Sequence, residues 1–361
     1  MRRWIRRLLV VAGVLFVFVL LGALASHRDN LEGPSAKPLP GPTLRASGKA
    51  NDILIGTAVD DGALRNEPGY RTDLAAQFSV ITPENAMKWD ALEPERGKLQ
   101  WAAADRAVDF ASDRRIAVRG HTLVWHSQVP AWIADGKLPA AELRQVMLDH
   151  ISRTMRRYKG RVKTWDVVNE VIGDDGKLRP SVWSDALGST FIFDAFAAAR
   201  KADPDARLAI NEIGGESIGP KSDTLLRVVK RLKARGLVDE VGFQSHFNLD
   251  GDPAGVPDTM KANMERFAAA GVDVAITEFD VSLKEPASDD QLAQQAGVYA
   301  ELATTCRAVP RCRSITVWGF TDRHSWIPES SPGYGSATLL DDELKPKPAF
   351  LAFSRALRAG G

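Results

Sequence analysis

Cysteine is almost absent, with 2 in 361 residues, and histidine is scarce, with 6. Cys306 and Cys312 match no zinc-motif spacing, and no H-E-x-x-H or comparable ligand pattern surrounds His121 and His126. Metal-assisted chemistry therefore has no ligand set to rest on, and no metal is expected. The serine elbow G-x-S-x-G is missing as well, which removes the familiar route to a serine nucleophile. Charge of one sign is also lacking. With 47 basic and 46 acidic side chains the net charge is +1, so the chain has no cationic excess with which to hold a nucleic acid. Neutral polysaccharides and small metabolites remain as partners.

What the N-terminus does contain is one long apolar run. "MRRWIRR" is a cationic start, and Leu8 to Ala25, "LLVVAGVLFVFVLLGALA", carries no charge. Ala23 and Ala25 give an A-x-A-like exit before Ser26, so residues 1–25 read as a signal peptide. The run is about eighteen residues, long for a signal core and just enough to span a bilayer, so a signal anchor is the alternative. Both readings put the remainder outside the cytoplasm, either secreted or periplasmic, or tethered through residues 8–25 to a membrane and facing outward. Residues 26–48 hold 4 prolines and read as a semi-extended linker. In such an oxidising compartment Cys306 and Cys312 are expected to form a local disulfide, free or buried thiols being the other reading.

Beyond the linker, β-rich runs alternate with helical ones. Strands are expected at 53–60, 79–85, 117–125, 164–170, 208–212, 240–246, 274–280 and 314–320. Stretches such as "WAAADRAVDFASDRR" and "PAAELRQVMLDHISRTMRRYKG" place apolar residues three and four apart, the helical period. Eight strands alternating with helices imply parallel pairing with right-handed crossovers, and eight is the number that closes a (β/α)8 TIM barrel. An open doubly wound sheet would carry a Gly-rich phosphate turn after its first strand, and "GTAVDDGAL" offers none. Residues 49–361 are therefore expected to form a single α/β barrel domain.

Functional groups of such a barrel sit at the carboxyl ends of its strands. There the chain shows Glu84, Asn85 and Lys88, then His121, Trp125 and His126, then Asn169 and Glu170. Asn211 and Glu212, Gln244 and His246, Glu278 and Asp280, and finally Trp318 follow. A single strand-end Glu is more often a salt-bridge partner than a catalyst, but this set has a chemical theme. Two carboxylates across a cleft suit glycosidic cleavage, one protonating the leaving oxygen while the other attacks the sugar or activates water. Glu170 and Glu278 lie at opposite sides of the expected mouth. Indole faces stack on sugar rings, and amides, Lys and His fix hydroxyls. Of the 9 tryptophans, Trp101 and Trp165 read as packing residues, and Trp125, Trp318 and Trp326 as sugar contacts.

Read in order, "ITPENAMKW", "RGHTLVWHSQVPAW", "WDVVNE", "SVWSDALGSTFI", "GFQSHF", "ITEFDV", "WGFTDRHSWIP" and "KPKPAF" resemble the endo-β-1,4-xylanases of glycoside hydrolase family 10. The resemblance spans about Asp52 to Leu357. It implies a TIM-barrel retaining endo-hydrolase acting on xylan or xylooligosaccharides by double displacement, without a cofactor; a monomer is expected. By that pattern Glu170 is the acid/base and Glu278 the nucleophile. Asn169, Gln244 and His246 hold the −1 sugar, Asn85 and Lys88 bind the −2 sugar, and His121 and Trp125 line the glycone side. Trp318 and Trp326 close over it, leaving no room for a C6 hydroxymethyl group. A related β-glucanase or a silent carbohydrate-binding barrel are the competing readings. The sequence departs from the pattern after strand five, where "NEIGGE" puts Ile213 at a position that is commonly aromatic, so weaker binding on the +1 side is expected.

Overall fold

The computed structural model describes residues 39–251 and 255–359. The apolar run at 1–25 and most of the proline-rich stretch lie outside them. Among the described residues no helix is long and apolar enough to cross a membrane.

Eight strands form a closed, all-parallel barrel: β1 Leu54–Val59, β2 Val80–Pro83, β3 Ala117–Gly120, β4 Thr164–Asn169, β5 Arg207–Glu212, β6 Glu240–Phe243, β7 Asp273–Lys284 and β8 Cys312–Val317. Each pairs with the next, and β8 closes on β1 through Leu54 opposite Ser314 and Gly56 opposite Thr316. The expected α/β barrel is thus present, each of the eight expected runs supplying one barrel strand. Two short strands, His246–Asn248 and Tyr334–Gly335, pair with the long β7.

The strands are buried on both faces, so they read as near-continuous apolar runs. β4 is an example: Trp165, Val167 and Val168 are fully buried. Trp165 fills space that only a glycine on β3 leaves open, because a Cβ at Gly120 would fall 2.2 Å from the indole. The helix Ala140–Arg157 buries Leu143, Met147, His150, Ile151, Thr154 and Met155, a stripe at three- and four-residue spacing, and ends on Arg156 and Arg157 beside its dipole's negative end. The helix Asp289–Ala308 starts on a capping box between Ser288 and Gln291, which satisfies two otherwise orphaned donors. Its last turn is joined to β8 by the Cys306–Cys312 disulfide, with Cα atoms 5.4 Å apart.

One boundary differs from the sequence reading. Leu44–Lys49, all but the last residue placed in the linker, form a helix capped by Thr43. Leu44 is fully buried, its amide donates to Gln77 Oε1 at 2.9 Å, and nearby Asn51 bonds the Leu357 carbonyl of the C-terminal helix. Folded structure therefore begins before residue 49. Four closely spaced prolines masked a short amphipathic turn that is stable only against the barrel's amino-terminal end.

Candidate active site

At the carboxyl end of the barrel a cleft of about 580 Å³ is lined by Asn85, Lys88, His121, Trp125, Asn169, Glu170, Gln244, His246, Glu278, Trp318 and Trp326. All eleven residues that the sequence pattern put forward for catalysis or sugar binding share this one cavity. Glu84, Gln128, Ile213, Glu329 and Ser330 complete the lining.

Glu170 follows β4 directly. Its φ is 56°, a left-handed conformation that costs a non-glycine residue about 1 kcal/mol or more. Surrounding bonds hold it there: its amide donates to the Asn211 carbonyl at 2.9 Å, and Arg179 Nε donates to the Glu170 carbonyl at 2.9 Å. Carboxyl oxygen Oε1 accepts from Gln244 Nε2 at 3.0 Å and Asn169 Nδ2 at 3.3 Å.

Glu278, within β7, is nearly fully buried. Oε1 accepts a bond from Asn211 Nδ2 at 2.6 Å, and Oε2 lies 3.2 Å from His246 Nε2. Burial alone would raise its pKa, but the charge of His121 and the bond and charge of His246 outweigh this and hold Glu278 below the usual carboxylate value. The converse applies to His246. Burial favours its neutral form, yet Asp280 and then Glu278 push it up to about 10, so an imidazolium sits between two carboxylates at neutral pH. Its Nδ1 is 3.0 Å from Asp280 Oδ1; the alignment is poor for a hydrogen bond, and the contact is one of charge. The second Asp280 oxygen accepts from the Trp326 indole N–H at 2.8 Å.

The two carboxyl groups are connected by a chain of amides. Gln244 Nε2 donates to Asn169 Oδ1 at 3.2 Å as well as to Glu170, and Asn211 Nδ2 bridges Asn169 Oδ1, at 2.8 Å, to Glu278. Asn211 is oriented in turn by the Thr277 hydroxyl, which donates to its Oδ1 at 2.6 Å. This packing requires Gly242 on β6, since a Cβ there would fall 2.3 Å from Asn211 Oδ1. A second network supports His121, whose Nδ1 is 3.0 Å from Asp166 Oδ2. Asp166 is bound by Arg119 Nε at 3.0 Å, and Arg119 also binds Glu240 at 2.6 Å. Burial opposes ionised Asp166, but Arg119 and His121 outweigh it and keep its pKa low.

On the remaining wall, Lys88 Nζ donates to Asn85 Oδ1 at 2.9 Å and stands 5.0 Å from the Trp125 ring centre. Burial lowers the Lys88 pKa against the pull of Glu278 and Glu84. Trp125 is supported from behind by Trp183, whose indole donates to the Trp125 carbonyl at 2.7 Å. Trp318 stands edge-on to His121, with ring centres 5.3 Å apart. Trp165 is core, and Trp101 packs against Tyr158. Asp174 and Asp175 lie in a turn beyond Glu170 and pair with Lys221 and Lys177.

The supporting network was not part of the sequence-derived site. Asp166 and Arg119 carried one signal, a charge inside an otherwise apolar strand run, which a barrel interior tolerates only when paired. Nothing local marked Glu240, Thr277 or Trp183. Among the described residues no group of three or more His, Cys, Asp or Glu is arranged to hold a metal ion.

The chain was then compared with known proteins. Endo-1,4-beta-xylanase 1 of Gibberella zeae is 40% identical over 340 residues, covering 92% of this chain and 94% of that one. Native xylanase 10B of Thermotoga maritima superposes with a TM-score of 0.83 at 39% identity, covering 87% of this chain and 98% of that one. Xylanase 10B of Thermotoga petrophila RKU-1, solved with xylobiose, gives 0.84 at 39% identity, covering 89% and 98%. The profile of Glycosyl hydrolase family 10 matches residues 43–356, and the chain belongs to that family.

Proposed function

We propose that this glycoside hydrolase is an endo-1,4-β-xylanase, cleaving internal bonds of xylan or xylooligosaccharides with retention through a covalent glycosyl-enzyme. The observation that carries the reading is the pair Glu170 and Glu278 in one cleft, differently treated by their surroundings. Glu278 is buried beside an imidazolium and kept ionised, as a nucleophile must be. Glu170 borders the open cleft with Oε2 free of protein donors among the described residues, as an acid must be to reach a leaving oxygen.

In the first step Glu278 attacks the anomeric carbon while Glu170 gives its proton to the departing oxygen. The C–O bond to the aglycone breaks as the ester to Glu278 forms. In the second step a water attacks the same carbon, Glu170 takes its proton, and Glu278 leaves as a carboxylate. Asn169, held by Asn211 and Gln244, is placed to bond the sugar 2-hydroxyl, an interaction that strengthens in the transition state. His246 steadies the charge on Glu278 before attack and after release. Asn85 and Lys88 would hold the next sugar. Trp318 and Trp326 wall the glycone side against a C6 substituent, which favours xylose over glucose. The named activity of the relatives and the xylobiose complex of the Thermotoga petrophila neighbour support this substrate. Exported by its N-terminal segment, whether released or anchored, the enzyme would meet xylan outside the cytoplasm.

The test is product analysis of the full chain on xylan and on carboxymethyl cellulose, with the first-formed anomer read by NMR. Xylan products released as the β-anomer are expected. Glu278→Ala should abolish turnover of every substrate. Glu170→Ala should fall by about 10²-fold or more on xylan yet spare the first step on aryl glycosides with good leaving groups. Equal activity of Glu170→Ala and the parent on xylan would refute the assignment.

A further inference from the structure

With 47 basic and 46 acidic side chains the chain is close to neutral, yet the fold separates the two signs. The helix ends and turns that lead into β3, β4 and β6 lie at the amino-terminal end of the barrel, opposite the cleft. They carry Arg114, Arg115, Lys159, Lys163, Lys233 and Arg235, all exposed. None of these forms an ion pair among the described residues, whereas Arg157, Arg161 and Arg200 beside them are held by Asp105, Asp109 and Asp239. Asp273 is likewise occupied by Arg207 and Arg311. Asp113 and Asp205 are exposed at the same end, too few to cancel the excess.

A basic residue in a helix's last turn complements its dipole, which accounts for Lys233. Arg115, Lys159, Lys163 and Arg235 stand beyond the helix ends, where that effect has fallen away. Like charges gathered without counterions repel one another, so the fold itself gains nothing from them. Around the mouth the sign is reversed. Glu84, Glu170, Glu278 and Glu329 line the cleft, and Glu285, Asp341, Asp342 and Glu343 line a second groove beside it.

The chain enters the folded body at the basic end. The helix Leu44–Lys49 packs there, with Arg45 Nη1 donating to the Ala75 carbonyl at 3.2 Å. Residues 26–38 alone separate the described structure from the uncharged run Leu8–Ala25, a span of at most about 45 Å. We propose that the amino-terminal end of the barrel docks on a bilayer surface rich in anionic phospholipid, with the cleft facing outward. Each Lys or Arg held at such a surface adds an attraction that decays within a Debye length, about 8 Å at physiological salt. The acidic mouth is repelled by the same field, so one orientation is selected. The docking surface is separate from the catalytic machinery, and its failure would leave the xylanase reading untouched.

The test is a lysine footprint of the full chain on phosphatidylcholine vesicles with and without phosphatidylglycerol, using a water-soluble acylating reagent and mass spectrometry. On the anionic vesicles acylation of Lys159, Lys163 and Lys233 should slow about tenfold at 0.15 M salt and recover at 0.5 M. Lys98, Lys177 and Lys345, exposed at the carboxyl end, should react as they do in free solution. Replacing Lys159, Lys163 and Arg235 together by Glu should weaken the anionic-lipid effect at Lys233 about 100-fold or more while leaving xylan hydrolysis unchanged. The contrast between the two lipids in the parent tests the proposal without any variant. Equal protection on both lipids, protection of the carboxyl-end lysines as well, or stronger protection by a DNA duplex than by the anionic vesicles overturns it.

Discussion

Asn211 shows how much of the behaviour of Glu278, the proposed nucleophile, is set by a neighbour that does not line the cleft. Its side-chain amide is fully buried, donates to Glu278 at 2.6 Å and to Asn169 at 2.8 Å, and receives Thr277. It fixes which Glu278 lone pairs remain for the proposed attack and which way the Asn169 amide points. Removing a preorganised donor of this kind typically costs 10²–10³ in turnover. Asn211→Ala is expected to lower kcat about 100-fold on activated and unactivated substrates alike, as read by steady-state kinetics. A kcat within about threefold of the parent would reduce Asn211 to a packing residue.

At the scale of elements, the loop after β5 puts Ile213 where the resemblance leads one to expect an aromatic residue. Ile213 lines the cleft, but an aliphatic side chain offers neither a ring face nor a phenol to a sugar. Glu212, one residue earlier, is turned inward: its Oε2 accepts from the Ile172 amide at 3.1 Å, and its Oε1 is 3.6 Å from Lys221 Nζ. Lys221 also reaches Asp174 at 2.8 Å, so the turn beyond Glu170 is tied to the start of the helix Pro220–Lys233. A rigid floor with an aliphatic lining predicts weak aglycone binding and intact chemistry. Ile213→Tyr should shift cleavage of xylopentaose and xylohexaose toward greater +1 occupancy, lowering KM by roughly 3–10-fold with kcat little changed, about 1 kcal/mol of stacking. Unchanged product ratios would refute this reading of the loop.

For the whole molecule, buried titratable groups set the pH range of stability. His246 is raised from 6.5 to about 10 by Asp280 and Glu278 against the effect of burial. A histidine with a raised folded-state pKa stabilises fully below its unfolded value, and that contribution is lost as pH rises from about 6.5 to about 10. Glu212, raised by burial from 4.5 to about 8, also binds its proton more tightly when folded, so its contribution is lost as pH rises between those values. On the acid side, burial and then Arg153 lower His150 from 6.5 to about 3, and stability falls as pH drops through that window. The depressed Glu278 and Asp166 add a further loss below the carboxylate range. Calorimetry should find Tm highest in mildly acidic solution and lower by about 5 °C or more at pH 10. Glu212→Gln should flatten the decline between about pH 5 and 8; an unaltered slope would show that Glu212 does not cause it.

The sequence by itself determined the barrel and the identity of the cleft residues. Eight apolar runs alternating with helices admit few other topologies, and the side chains that line the cleft stand one after another at the strand ends. Periodicity and position along a strand are local properties, so they can be read along the chain. Tertiary structure alone decided how those residues are joined. Asn211 comes to Glu278 across 67 positions and Arg119 to Glu240 across 121, and only closure of the sheet sets such pairs side by side. It likewise decided that Leu44–Lys49 belong to the folded body, since so short a helix is held by what it packs against. The charges of His246 and Glu278 were also beyond the sequence, because burial and a neighbour's field exist only once the fold has excluded water from around them.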